Sequence, residues 1–283
     1  MPRGRHLSRR PNKGTFIYPK YLEPIASWPG GRGSVGRDYN LYVTDEWLNR
    51  VTVFDRDGNY LRHWDDTGDA AGQLNGPSGI DVDSHGDLFI VDSLNHRVQK
   101  FTVGGEYLAG WGGLGDGPSE FNTPWGLTVD DQDQVYVADH KNHRVQKFTA
   151  SGEYMAEFGS YGSGRGELNR PADVAVDPEG DVYICEWANH RVQVFAADGE
   201  FITSFTGNAQ ELSKWFKVTV DANDDVVKAR RRVDTLEPEW LLALPCGVAF
   251  DAAKSRLIIA DTQRRRVQIY NKVKDYMAPQ INL

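Results

Sequence analysis

The chain is poor in cysteine, in basic charge and in unbroken apolar sequence. Two cysteines in 283 residues, Cys185 and Cys246, do not suggest a disulfide framework. Both fall in short β-rich runs, where a thiol behaves as a small hydrophobe. No apolar stretch is long enough to span a bilayer. The segment 1–13 carries five basic residues and no acid, but lacks the apolar core of a secretory signal. Together these absences predict a cytoplasmic protein with no membrane span. With 32 Lys and Arg against 40 Asp and Glu, the net charge is −8, so general attraction to nucleic-acid phosphate is not expected. There is no HExxH, GxSxG, phosphate-loop or zinc-finger spacing. The glycine-rich connectors 112–124 and 159–171 superficially resemble phosphate loops, yet each runs into a proline and another strand rather than a helix.

What the chain has in abundance is itself. The segment that begins PWGLTVDD at Pro124 has counterparts 47 residues upstream at Pro77 and 47 downstream at Pro171. Each copy holds four runs of about five residues, rich in β-branched and aromatic types and bounded by Gly, Asp, Asn and Pro. Four short antiparallel strands per repeat make one propeller blade. The acid ending the second run recurs as Asp45, Asp92, Asp139, Glu186 and Asp261. The repeated Asn-His-Arg-Val-Gln segments, each preceded by an acid-ended run and followed by Gly-Glu, resemble the NHL-repeat family. That resemblance covers nearly the whole chain and implies an all-β propeller.

Blade counting is harder after Glu186. Asp261 follows it by 75 residues, where two periods of 47 would take 94. Lys217 to Asp221 reads as a first strand, and Asp224, Asp225 followed by Lys228 and Arg230 to Arg232 places acids before bases, as a short helix prefers. The expectation is a six-bladed NHL-type β-propeller whose fifth blade (208–244) is truncated and partly helical, with five blades plus an insertion as the rival. Val226, Val233 and Trp240 would pack inward to fill the wedge. The last copy lacks a fourth strand, and Thr15 to Tyr18 or Tyr21 to Trp28 could close the ring by covering its edge. The organisation expected is a flexible basic tail (1–13), one propeller domain (14–271) and a C-terminal extension (272–283).

Five acid–arginine pairs recur at a spacing of five: Asp45/Arg50, Asp92/Arg97, Asp139/Arg144, Glu186/Arg191 and Asp261/Arg266. A guanidinium can clamp a carboxylate, and chemistry is rarely needed five times over, so these read as structural staples. His96, His143 and His190 share one repeat position. Three histidines around an axis invite zinc, but equivalent positions in neighbouring blades are too far apart for bonds near 2 Å; a structural role is expected.

Function should sit where repeats differ at equivalent axis-facing positions. Where the first strand begins stand Ser78, Trp125, Ala172 with Asp173, and Cys246; where the second ends stand Glu46 with Trp47, Ser93, His140 with Lys141, Trp187 and Thr262. A channel mouth built from Glu46, Trp47, Ser78, Trp125, His140, Asp173, Trp187 and Cys246 would bind a polar ligand or a peptide. The first reading is therefore a binding or scaffold module for a protein, peptide or small polar ligand, with no cofactor and no membrane. The resemblance implies a second. NHL-like propellers are similar to the peptide-amidating lyase, but its zinc histidines are replaced here by Ser78, Trp125, Ala172 and Cys246. Related lactonases and lyases use acidic calcium or magnesium sites, for which Glu46, His140, Asp173 and Glu186 are the candidate divalent-metal ligands. RNA binding, as in some animal NHL domains, would rest on Arg230 to Arg232 and Arg264 to Arg266, against the acidic net charge.

Overall fold

Each repeated run becomes a strand. The computed structural model describes residues 33–36, 38–209, 212, 214–233 and 235–272. Blade 1 consists of β1 (Gly33–Val35), β2 (Leu41–Asp45), β3 (Arg50–Phe54) and β4 (Tyr60–Trp64), and blade 2 of β5 (Pro77–Val82), β6 (Leu88–Asp92), β7 (Arg97–Phe101) and β8 (Tyr107–Gly112). Blade 3 holds β9 (Leu127–Val129), β10 (Val135–Asp139), β11 (Arg144–Phe148) and β12 (Tyr154–Phe158). Blade 4 holds β13 (Pro171–Val176), β14 (Val182–Glu186), β15 (Arg191–Phe195) and β16 (Phe201–Phe205). Blade 5 has three described strands, β17 (Pro245–Asp251), β18 (Arg256–Asp261) and β19 (Arg266–Asn271). Within every blade the strands pair antiparallel in chain order.

The turns explain the hairpins. Asp55, Asp83, Asp130 and Asp177 each accept, on Oδ1, the backbone N–H groups two and four residues ahead. Such Asx turns give the backbone a local alternative to the ladder and reverse it. Burial explains the alternation. The second strand of a blade is apolar on both faces because each face meets a different neighbour. Leu88 and Ile90 pack on Tyr42, Val51 and Val53 of blade 1, whereas Phe89 and Val91 pack on Leu127, Val135 and Val137 of blade 3. The core thus lies in the seams between blades.

The seam after blade 4 overturns the six-blade expectation. Ala175, Tyr183, Cys185, Val192 and Val194 of blade 4 pack directly against Leu242, Val248, Leu257 and Ile259 of blade 5. No wedge is left to fill, and the described residues form five blades. Lys217 to Asp221, expected as a first strand, lies in helix α1 (Lys214–Asp221), followed by α2 (Asp224–Arg230) and α3 (Glu237–Trp240). Asn223 caps α2 by accepting from the N–H groups of Asp225 and Val226. The acid-then-base order in α2 does mark a helix. The inward anchors do not form: Val226 and Val233 are exposed, and only Trp240 is half-buried. Arg230 is tied to Glu239.

The two ends of this insertion meet, with Ala209 N donating to Trp240 O at 3.1 Å and Leu242 N to Thr206 O at 2.7 Å. The helices are therefore an excursion from a seam that is complete without them. Excising residues 210–239 and joining the ends through two glycines is expected to shift the melting temperature by less than about 4 °C, roughly 1 kcal/mol in a chain of this size. A calorimetric drop of about 10 °C or more would return the helices to the core.

The expected N-terminal strand (Thr15 to Tyr18 or Tyr21 to Trp28) and the tail 1–13 lie outside the described residues. No helix among the described residues is long and apolar enough to cross a membrane.

Candidate functional site

The repeated polar residues are absorbed by structure before any ligand arrives. In four blades the acid is fully buried and bonded to the Nε of its arginine, at 2.8 Å for Asp92–Arg97, 3.1 Å for Asp139–Arg144, 2.5 Å for Glu186–Arg191 and 2.6 Å for Asp261–Arg266. The remaining arms reach backbone carbonyls of the connector ahead of the blade, as Arg144 Nη2 does to Gly117 O and Glu120 O, while Arg144 Nη1 pairs with the Glu157 carboxylate at 3.0 Å. The clamp is one bond to the acid and two or three to the connector, rather than a bidentate pair. Blade 1 departs from the pattern. Asp45 accepts from the N–H groups of Trp47 and Leu48, and Arg50 Nε has no partner among the described residues.

The shared histidines join blades. His96, His143 and His190 sit at φ 55°, 58° and 54°. Their Nδ1 atoms accept the backbone N–H of Thr123 (3.0 Å), Arg170 (3.1 Å) and Leu244 (2.9 Å) in the next blade's connector. Asn49 does the same for Gly76 N at 2.7 Å. This explains why asparagine replaces histidine in blade 1: it also tolerates the left-handed backbone and offers an acceptor. His143→Ala is expected to cost about 2 kcal/mol, for the lost acceptor and the strained φ, and His143→Asn almost nothing. Urea denaturation of both variants checks the pair; equal losses would refute the acceptor role.

What remains for function is the mouth. The residue opening the first strand meets the residue closing the second. Ser78 Oγ lies 2.6 Å from Ser93 Oγ and donates to Trp125 O at 2.7 Å, while Cys246 Sγ touches Thr262 Oγ1. In blade 3 the pair is aromatic. Trp125 stacks on the His140 ring, with centroids 3.8 Å apart and planes 18° apart, and Trp187 of blade 4 stands edge-on at 6.4 Å. Behind Trp187, the Arg170 guanidinium lies 5.8 Å from its ring.

His140 is buried and its Nδ1 faces the Pro171 carbonyl at 3.1 Å. A carbonyl only accepts, so Nδ1 carries the proton and Nε2 presents a lone pair that no described residue occupies. Burial, helped by the cations Arg170 and Lys141, pushes this imidazole down to about 4. At neutral pH it is a neutral hydrogen-bond acceptor held between two indoles.

Not every expected site residue joins this group. Trp125, His140 and Trp187 form one cluster, Ser78 is tied to it through the Trp125 carbonyl, and Cys246 meets Thr262. Glu46 and Trp47 are exposed loop-tip residues, Trp47 at 83%. Asp173 lies deeper, in an axial cavity of about 320 Å³ walled by the innermost strands of all five blades, and accepts from Val248 N of blade 5 at 3.0 Å. The metal set fails. Glu186 is consumed by Asn169, Asn189, Arg191 and Gln193. Among the described residues, the one carboxylate group within mutual coordinating distance is Asp177, Glu179 and Asp181. The Lys272 ammonium sits in it, bonded to Asp177, to Glu179 at 2.7 Å and to Asp181 at 2.9 Å. Burial alone would lower that ammonium, but these bonds raise it.

Two residues escaped the sequence reading. Arg170 looked like connector, and only the fold brings it over Trp187. Asp81 lies on β5 beside the channel and bridges three blades, accepting from Ser34 Oγ (3.0 Å), Thr128 Oγ1 (3.1 Å) and Val129 N (2.8 Å). An acid at the fifth position of an innermost strand, where other blades have Thr128, Ala175 and Ala249, was the available signal. Burial pushes its carboxyl up, against those bonds.

A sequence model of the NHL repeat matches residues 74–101, 121–148 and 168–195. Among solved structures, the fold is similar to a streptogramin B lyase at 13% identity and TM-score 0.54, over 86% of this chain and 69% of that one. It is similar to a catalytically inactive virginiamycin B lyase from Staphylococcus aureus with quinupristin (14%, TM-score 0.53, 84% and 68%). It is also similar to a nidogen/laminin complex (15%, TM-score 0.51, 85% and 79%). No curated protein matches by sequence. At such identities the likeness is one of fold.

Proposed function

From three matched NHL repeats in a β-propeller we propose that the chain is a binding module whose mouth takes a peptide or small polar ligand bearing an acidic group. The observation that carries this is His140, fixed between Trp125 and Trp187 with Nε2 open. Two indole faces supply apolar area at low entropic cost, and the neutral imidazole accepts one hydrogen bond, the pattern of a specific recognition pocket. Charge selects the ligand's sign. Arg170 and Lys141 are exposed beside the pocket, whereas the turns at the far end of the blades carry Asp55, Asp57, Asp131 and Asp133. An acidic group is attracted to the mouth face and repelled from the other.

A lyase-like reading, by analogy with the streptogramin lyases of similar fold, would need a proton acceptor near the working pH. An imidazole held at about 4 is a weak base at neutral pH, which favours binding over proton abstraction. The test is fluorescence anisotropy with glutamate-rich, glutamine-rich and lysine-rich peptides of equal length. The glutamate-rich peptide should bind tightest. Its affinity should fall about tenfold, near 1.4 kcal/mol, in Trp187→Ala and in Arg170→Ala, and hold in Asp57→Asn. Equal affinity for all three peptides, or binding that survives both mouth variants, rejects the reading.

A further inference from the structure

Blade 1 breaks the repeat where its mouth-side loop should be stapled down. In blades 2 to 4 the third residue after the repeated acid is an asparagine, Asn95, Asn142 or Asn189. Its Nδ2 donates both to that acid and to a connector carbonyl. In blade 5 Arg264 takes the place and reaches Pro238 O at 2.6 Å. Blade 1 has Leu48, whose side chain can donate to neither and is 53% exposed. The residue before it, Trp47, is 83% exposed, where the other blades carry Leu94, Lys141, Ala188 and Gln263. An exposed tryptophan beside a leucine that displaces a structural asparagine adds nothing to the fold. Local exceptions of this kind concentrate where a protein has a function.

Leu94, itself 57% exposed, extends the patch. It lies so close against Gly76 that a side chain there would displace it, and Gly76 N donates to Asn49 Oδ1 at 2.7 Å, at the end of the Trp47 loop. The loop is fixed in advance, because Asp45 Oδ1 accepts the N–H groups of Trp47 and Leu48 at 3.1 and 3.0 Å. Little ordering is then left to be done on binding. Trp47 alone leaves roughly 200 Å² of its side chain in water, and tryptophan is among the types most enriched at the energetic centres of protein interfaces.

Charge decides the partner. The connector 65–76 borders both loops, through Gly76 to Asn49 and through Gly68 O to Asn95 Nδ2 at 2.7 Å. Segments 46–49, 65–76 and 93–96 together hold Glu46, Asp65, Asp66 and Asp69, all exposed, and no lysine or arginine. The cluster of Trp125, His140 and Trp187 has Lys141 and Arg170 beside it instead. We infer that Trp47, Leu48 and Leu94 form a second docking site, separate from the mouth, for a basic protein segment bearing apolar side chains. The segment's lysines or arginines meet the acidic rim while an apolar side chain packs on the indole. Nucleic acid and anionic membrane are repelled by the same rim, which leaves protein as the occupant.

NMR titration of the isotope-labelled full chain tests the site with three peptides of equal length, built from lysine and leucine, lysine and serine, or glutamate and leucine. The indole N–H signal of Trp47, identified by its absence in Trp47→Phe, should shift with the lysine–leucine peptide and not with the other two. Affinity for that peptide should fall about tenfold in Trp47→Ala. Leu48→Asn should weaken it as well, yet hold or raise the melting temperature, because it gives blade 1 the asparagine of blades 2 to 4. No shift at Trp47, a shift of equal size with either control peptide, or a lowered melting temperature in Leu48→Asn would overturn the assignment. Trp187→Ala and Arg170→Ala, which alter the mouth, should leave this titration unchanged. Failure of this site is thereby told apart from failure of the mouth's acidic-ligand preference.

Discussion

Replacing Arg144 by alanine is expected to destabilise the propeller by about 3–5 kcal/mol, the cost of removing one partner from a buried ion pair. Asp139 is fully buried and Arg144 nearly so. Without the guanidinium, Asp139 loses its Nε bond, and the carbonyls of Gly117 and Glu120 lose their donors at the same stroke. Burial already pushes the Asp139 carboxyl up against the bonds from Asn122, Asn142 and Arg144, so the variant should retain a strained acid that is easily protonated. Arg50→Ala supplies the internal comparison. It makes no ion pair to Asp45 among the described residues, so its loss strands no buried carboxylate and should cost roughly 0–1 kcal/mol. Equilibrium urea unfolding at pH 7 measures both. Equal losses would show that the arginine contributes through its stem alone.

The second large effect is acid lability written into His140. Its folded pKa of about 4 lies below the unfolded value near 6.5, so between those values the unfolded chain binds the extra proton. The stability is therefore complete above about pH 6.5 and is lost as pH falls toward 4, amounting to about 3 kcal/mol. His140→Ser is the variant of choice, because Ser93 occupies the same place in blade 2 and donates to Pro124 O. The serine variant loses ring packing on Trp125 and should be weaker at pH 7. The gap between wild type and variant should then narrow by about 3 kcal/mol on moving to pH 4, while carboxylate titrations common to both cancel. A gap that stays constant with pH would mean that His140 titrates as an ordinary exposed imidazole.

Much of the mouth was legible before any coordinates. Ser78, Trp125, His140, Trp187 and Cys246 were identifiable as non-repeated residues at repeated positions, and of these the fold brings Trp125, His140 and Trp187 together. Glu46 and Trp47 satisfy the same rule and stand exposed at a loop tip, which can face solvent without breaking the repeat. Glu186 looked available for a metal only while its donors, Asn169, Asn189, Arg191 and Gln193, could not be counted around it. The short-range features, namely the period of 47, the strand runs and the acid–base order of α2, were settled by the sequence alone. Each is decided by neighbours a few residues away. Blade number and polar partnership belonged to the tertiary structure. Lys217 to Asp221 has the β-branched look of a strand, but a strand needs an edge to pair with. The seam it would have entered is already closed by Leu242 and Val248 against Cys185 and Val192. Likewise Arg170 meets Trp187, and Asp81 meets Ser34 and Thr128, across blade boundaries where contacts join residues far apart in the chain. Local propensity carries no information about such contacts.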